Sequence, residues 1–301
     1  FLVPLQANMK IMNKRILSIC VLVVCMMMPL AAQNMQPKEL VGTDTVHNKK
    51  FESGFTWSAS AVLTSNYIWR GLYVGGSSLQ VDATIDYKGL FANVWWNIGS
   101  RDWTFTGLNP EVDIAIGYSR WGLSVYYIHM YYFDRYANGT RSKFFDFRNH
   151  EQGGTTGEWR VAYQRPLYTS KQGLRTNLSL LGAIRTFGRD GFVDDKGELK
   201  RAYSSYLEVG VDQTLGKYWN LSARVGMTPH KSLYTGYKGK FAVTLVGLRI
   251  TKQWKLSHGA LSAFAHVMLQ PWKVTKENLI LPIEQAVNQK LNMAVGCSYG
   301  I

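Results

Sequence analysis

The chain has 301 residues, a formal net charge of +14 and only three cysteines. A single cysteine, Cys297, lies beyond residue 25, so a disulfide-stapled secreted scaffold is excluded. The basic excess comes without any nucleic-acid-binding motif, so it does not point to nucleic acid as a partner.

Residues 1–32 read as upstream sequence followed by a cleavable signal peptide. Lys10, Lys14 and Arg15 precede an apolar run from Ile16 to Leu30, and the small residues Ala31 and Ala32 follow. The run is fifteen residues long and contains Pro29. A bilayer-crossing helix needs about 20 apolar residues, so export and cleavage near Ala32–Gln33 is the expectation. Residues 33–52 show little periodicity and are expected to be a flexible periplasmic lead-in.

Beyond that point no apolar stretch is long enough for a membrane helix, and hydropathy alone would place the chain in solution. Strands that close into a barrel cross a bilayer with alternation alone. That alternation runs through residues 53–301. Leu79, Val81, Ala83, Ile85 and Tyr87 face one way against Gln80, Asp82, Thr84 and Asp86. The next segment sets Leu90, Ala92, Val94, Trp96 and Ile98 against Phe91, Asn93, Trp95 and Asn97. Successive strand side chains point to opposite faces, so each segment has an apolar wall and a more polar one.

Twelve such segments are expected: Phe55–Thr64, Ser78–Tyr87, Leu90–Gly99, Glu111–Ser119, Leu123–Phe133, Gly157–Gln164, Arg175–Phe187, Ala202–Leu215, Tyr218–Thr228, Lys240–Thr251, Leu261–Gln270 and Lys290–Ile301. In the fifth and tenth both faces are apolar, which leaves their register open. Connections alternate in length. Turns such as Lys88-Gly89 and Gly216-Lys217 are tight and the joints 165–174 and 252–260 are moderate, whereas 65–77, 100–110, 134–156, 188–201, 229–239 and 271–289 are long. Short turns on one rim and long loops on the other fit an all-β, transmembrane, antiparallel up-and-down barrel in a bacterial outer membrane, long loops outward.

Trp, Tyr and Phe make up 13% of the chain, and many stand at segment ends. Trp57, Tyr67, Trp69, Tyr87, Tyr118, Trp121, Tyr131, Tyr132, Trp159, Tyr203, Tyr218, Trp219, Trp272 and Tyr299 are expected in the aromatic girdles. The last segment, 290–301, puts Leu291, Met293, Val295, Cys297, Tyr299 and Ile301 on one face. It resembles the C-terminal strand that barrel-assembly machinery recognises, although such strands usually end in an aromatic. Outer-membrane lipid and lipopolysaccharide are the other expected partners, the latter through loop cations such as Lys143, Arg148, Lys196, Lys200, Lys231 and Lys238.

The stretch Ser58-Ala59-Ser60-Ala61-Val62-Leu63-Thr64-Ser65-Asn66-Tyr67-Ile68-Trp69-Arg70-Gly71 carries a family resemblance. It resembles the opening of a group of Gram-negative outer-membrane proteins, known mostly as porin-like barrels, whose first strand runs into a Ser-x-Tyr-x-aromatic-Arg-Gly hairpin. The resemblance implies a fold and a location but no substrate. The Gly75-Gly76 pair reads only as a flexible loop.

Charges within membrane strands are costly unless they face water or one another. Asp82, Asp86, Glu111, Asp113, Glu158, Arg160, Arg175, Arg185, Glu208, Asp212 and Arg224 are therefore expected to line the lumen. Acidic residues dominate the second to fourth segments, basic ones the sixth, seventh, ninth and tenth. Two arrangements follow. The opposed charges line a narrow pore for small solutes, with the basic excess favouring anionic ones, or they pair and plug the barrel. Catalysis is not expected: His129, His258 and His266 lack the following Ser-Asn of outer-membrane phospholipases, no zinc-spaced Cys/His cluster exists, and no phosphate loop is present. No cofactor is expected.

Overall fold

The computed structural model describes residues 54–100, 110–133, 141–149, 154–170, 174–237, 241–272 and 291–301. The expected signal peptide and lead-in lie outside the described residues. So do the tips of several long loops.

The described residues form a closed barrel of twelve antiparallel strands, with two small hairpins in its loops. In chain order the strands are β1 (Phe55–Thr64), β2 (Tyr67–Trp69), β3 (Leu72–Gly75), β4 (Ser78–Tyr87), β5 (Leu90–Gly99), β6 (Glu111–Arg120), β7 (Leu123–Tyr132) and β8 (Thr155–Thr169). They continue as β9 (Arg175–Gly188), β10 (Gly191–Val193), β11 (Leu199–Arg201), β12 (Ser205–Leu215), β13 (Trp219–Thr228), β14 (Ala242–Leu256), β15 (Gly259–Leu269) and β16 (Leu291–Gly300). Neighbours in sequence are neighbours in the wall, once β2–β3 and β10–β11 are set aside, and β16 returns to β1 to close the ring. Closure leaves no open edge, which a hydrocarbon environment demands.

Sequence alternation becomes wall and lumen as the strand period requires. On β5, Phe91, Trp95 and Asn97 are buried inside while Leu90, Val94, Trp96 and Ile98 face out. The two undecided registers are fixed by pairing. On β7, Ser124, Tyr126, Ile128 and Met130 point inward. On β14, Leu245, Gly247 and Arg249 share the inward face, after an irregularity opposite Gly226/Met227.

Two connections are shorter than the sequence implies. Strands β8 and β9 continue toward each other to Thr169 and Arg175, passing a shift at Pro166/Tyr168, and β14 turns into β15 across Ser257-His258. The alternation breaks at both places, where the exposed apolar residues Leu167, Tyr168 and Leu256 stand among Arg165, Gln253 and Lys255.

The largest departure lies between β1 and β4. The expected loop 65–77 is instead the hairpin β2–β3, turning at Arg70 (φ 49°) and Gly71 (φ 86°). Positive φ at both central positions is the geometry of two-residue hairpin turns. The hairpin lies within the barrel: Tyr67, Trp69, Leu72 and Tyr73 are all buried. Tyr67 and Trp69 are thus not girdle residues, and Tyr132 also packs against the interior cluster. Segment ends that fold inward give the same aromatic signal as a girdle.

The hairpin is stitched to the end of the chain. The Asn66 side-chain amide donates to the Met293 carbonyl, Asn292 Nδ2 donates to the Gly71 carbonyl at 3.0 Å, and Val295 N–H donates to Ser65 Oγ at 3.0 Å. The tip presses on β14, where a Cβ on Gly71 would stand 2.6 Å from the Thr244 carbonyl oxygen.

Candidate functional site: the lumen and its inward hairpin

The hairpin divides the lumen into two unlike halves. On the long-loop side, Arg70 is clamped. Its guanidinium donates to both oxygens of Glu158, at 2.8 and 2.9 Å, and to the Tyr234 hydroxyl at 2.6 Å. Its planar face lies 4.5 Å from the Tyr206 ring centroid and 4.7 Å from that of Trp69. Paired forks of this kind are the strongest neutralisation a carboxylate finds.

Glu158 gathers further cations. Arg160 Nε stands 2.6 Å from Oε1 and Arg185 Nε 3.9 Å from Oε2, all with buried side chains. Nearby, Tyr67 donates to Glu111 Oε2 at 3.0 Å while its ring meets Trp95 at 5.6 Å. Asp190, in the rim loop after β9, accepts from the Ser204 N–H at 2.8 Å. Burial pushes the Asp190 carboxyl above its usual range, against the lowering influence of Arg185 and Ser204.

On the short-turn side the network loosens. Tyr206 donates to Glu208 Oε2 at 2.6 Å, Glu208 faces Arg224 at 3.6 Å, and Arg224 spans both oxygens of Asp212 at 2.9 and 3.0 Å. Beneath the hairpin a cavity of about 220 Å³ is bounded by Gln80, Asp82, Gln164, Ser179, Arg249 and His266, among others. Arg249 stacks on Phe264, its guanidinium carbon 3.9 Å from the ring centroid.

The expected lining residues separate accordingly. Glu111, Asp113, Glu158, Arg160 and Arg185 are buried on the long-loop side, and Glu111 and Glu158 are fully enclosed. Asp82, Glu208 and Arg224 line the cavity, and Asp212 is held against it by Arg224 and Ser222. Asn93 donates to Asp82 at 2.7 Å. Asp86 and Arg175 lie elsewhere: Asp86 serves the β4–β5 turn, its Oδ1 accepting from Gly89 N–H at 3.4 Å, and Arg175 is exposed at the turn end of β9. Both share the inward register, but the lumen no longer encloses them at the rim.

Sequence reasoning missed Arg70, Tyr206 and Tyr234 as lumen groups, whereas Arg249 on the tenth segment was already a candidate and does line the cavity, together with His266. Arg70 could have been found, since Arg-Gly after two aromatics is an unusual tip for an exposed loop. Of the other histidines, His129 lies outside the barrel against Phe144, and His258 sits in the β14–β15 turn, where its carbonyl accepts from the Tyr299 hydroxyl at 2.6 Å.

No family model matches the chain, and no curated protein does. Among solved structures, a NanC porin in a rhombohedral crystal form is 10% identical, with a TM-score of 0.44, covering 81% of this chain and 99% of that one. A porin refined at 1.8 Å is 9% identical, with a TM-score of 0.34, covering 82% and 100%. The resemblance is to a barrel only. It is too slight to transfer a residue role or a solute.

Proposed function

We propose that this chain is a porin-like barrel of a bacterial outer membrane, a narrow channel for small solutes whose passage is restricted by the β2–β3 hairpin. The outward apolar faces, the segregation of turns and loops, and complete closure support membrane insertion. The cavity under the hairpin carries the channel reading. Its lining of serine, glutamine, aspartate, arginine and histidine suits water and a polar solute, while the hairpin above it is fastened to the wall by hydrogen bonds to β16 and by the Arg70–Glu158 pair. Arg249 and Arg224 give that chamber its cationic arc, which favours anionic solutes.

A second reading rests on the clamp itself. Arg70 and Glu158 are buried with full bidentate geometry, which suits a permanent plug with function placed in the outer loops. One experiment separates the two. The full chain, folded into a planar bilayer, is compared with Arg70→Ala, which frees the hairpin while Glu158 keeps Arg160 and Arg185. Discrete conductance steps that grow in the variant support the channel. Silence from both proteins, each showing the heat-dependent gel shift of a folded barrel, sinks it.

A further inference from the structure

A second feature lies on the outside of the barrel. Residues 141–149, from the loop between β7 and β8, fold back over the outward face of β7. The His129 ring lies beneath Phe144, Phe145 and Phe147, with centroids at 4.7, 5.6 and 5.8 Å. Tyr131 meets Phe144 at 5.0 Å, and Phe147 meets Phe187 of β9 at 5.6 Å. His129 is three residues inside the rim of β7, so at about 3.4 Å per residue the segment reaches roughly 10 Å down the wall.

Backbone at that depth has little water, and the segment behaves accordingly. Tyr131 donates its hydroxyl to the Ser142 carbonyl at 2.9 Å, and Thr155 Oγ1 donates to Lys143 and Phe144 at 2.7 and 3.1 Å. His129 Nε2 donates to the Phe144 carbonyl at 2.7 Å, and Gly188 N–H donates to Phe147 at 3.4 Å. Four carbonyls of one short loop are thus satisfied by the barrel wall.

The outer surface of this segment combines rings with cations. Phe145 is 72% exposed and Phe147 46%, on the membrane side of the wall. Arg148 is committed to buried Asp146 by two hydrogen bonds of 2.8 and 2.9 Å. Arg141 and Lys143 are exposed, and among the described residues neither has an acidic partner at ion-pair distance. Apolar rings at membrane depth with cations toward the rim make an interfacial anchor, and such cations pair with anionic headgroups.

We infer that residues 141–149 form a lipid-recognition site for a phosphate-bearing headgroup of the outer leaflet, with Arg141 and Lys143 taking the phosphate and Phe145 and Phe147 set among the acyl chains. The site is independent of the lumen: a barrel that never conducts still presents it, so the two proposals fail separately.

The test uses the full chain folded in non-ionic detergent, titrated with phosphorylated lipid A and with its dephosphorylated form, and bound lipid counted by native mass spectrometry. The phosphorylated form should bind about tenfold more tightly or better. Arg141→Met with Lys143→Met should weaken it about thirtyfold, given the usual contribution of a basic residue at a lipid surface, and Arg141→Glu with Lys143→Glu by more than that. Lys196→Glu with Lys200→Glu, on the loop of β10–β11, should change nothing. Binding indifferent to phosphate, or equal losses from the 141/143 and 196/200 pairs, would overturn the assignment.

Discussion

The two halves of the lumen use the same kinds of side chain to different ends. Above the hairpin, Arg70, Arg160 and Arg185 converge on one enclosed carboxylate, and aromatic rings fill the rest. Below it, Arg224 and Asp212 pair along the wall and leave a cavity beside them. The difference is geometric. A charge on a strand can only reach its neighbours along the wall, whereas Arg70 on an inserted hairpin reaches across the ring. Filling a barrel of this width requires a segment that leaves the wall.

The comparison breaks most sharply at Glu158. Glu158→Gln leaves three buried arginines around a neutral amide, and removing one partner of a buried ionic cluster costs about 3–5 kcal/mol. A large fall in the urea midpoint, or ejection of the hairpin with a fold-retaining rise in conductance, is expected. Unchanged stability with unchanged conductance would mean the cluster does not hold the hairpin.

Gly71→Val should have the next largest effect. A branched side chain at φ 86° is strained, and its Cβ would meet the Thr244 carbonyl at 2.6 Å. A strained position of this kind costs about 1–3 kcal/mol. The cost should fall on the hairpin and leave the wall intact, so protease sensitivity within residues 65–77 should appear while the heat-dependent gel shift persists.

In the lower half the penalty shrinks. Asp212→Asn removes the main partner of Arg224 but leaves Glu208 at 3.6 Å and a cavity alongside. A loss of about 1–2 kcal/mol is expected for a buried partner only partly replaced, with anion selectivity raised in bilayer reversal potentials. Selectivity shifted toward cations would contradict the assignment of the chamber.

Smallest of all is Asp190→Asn. Burial raises the Asp190 carboxyl in the folded protein, so its charged form opposes folding at neutral pH. That cost lessens as pH falls through the folded value and vanishes below the unfolded one. The amide should therefore alter stability at pH 7 by less than about 1 kcal/mol and flatten its gain toward acid pH. A steeper pH dependence in melting curves would show the reverse coupling.

The wall was legible because strand period and membrane polarity act on every residue alike, so Phe55–Thr64, Ser78–Tyr87 and Leu90–Gly99 match the structure at both ends. Asp113 and Arg185 turn inward for a related reason, since neither has a tolerable place on an apolar outer face. Pairing was not legible. Arg70 and Glu158 are 88 positions apart, and no local pattern links them. Tyr67 and Trp69 misled because an aromatic tucked into a lumen and one resting at a membrane surface occupy the same place in the alternation. The turn-back of Phe144–Phe147 was hidden for want of any period at all.

The ties between the first hairpin and β16 bear on how the molecule is made. Asn66 and Gly71 are held by Met293 and Asn292, separated from them by 227 and 221 positions. Contacts so distant in sequence close a loop of about three quarters of the chain, which raises their entropic cost and slows folding. The hairpin that narrows the lumen follows the first wall strand, and its berth is completed by β16.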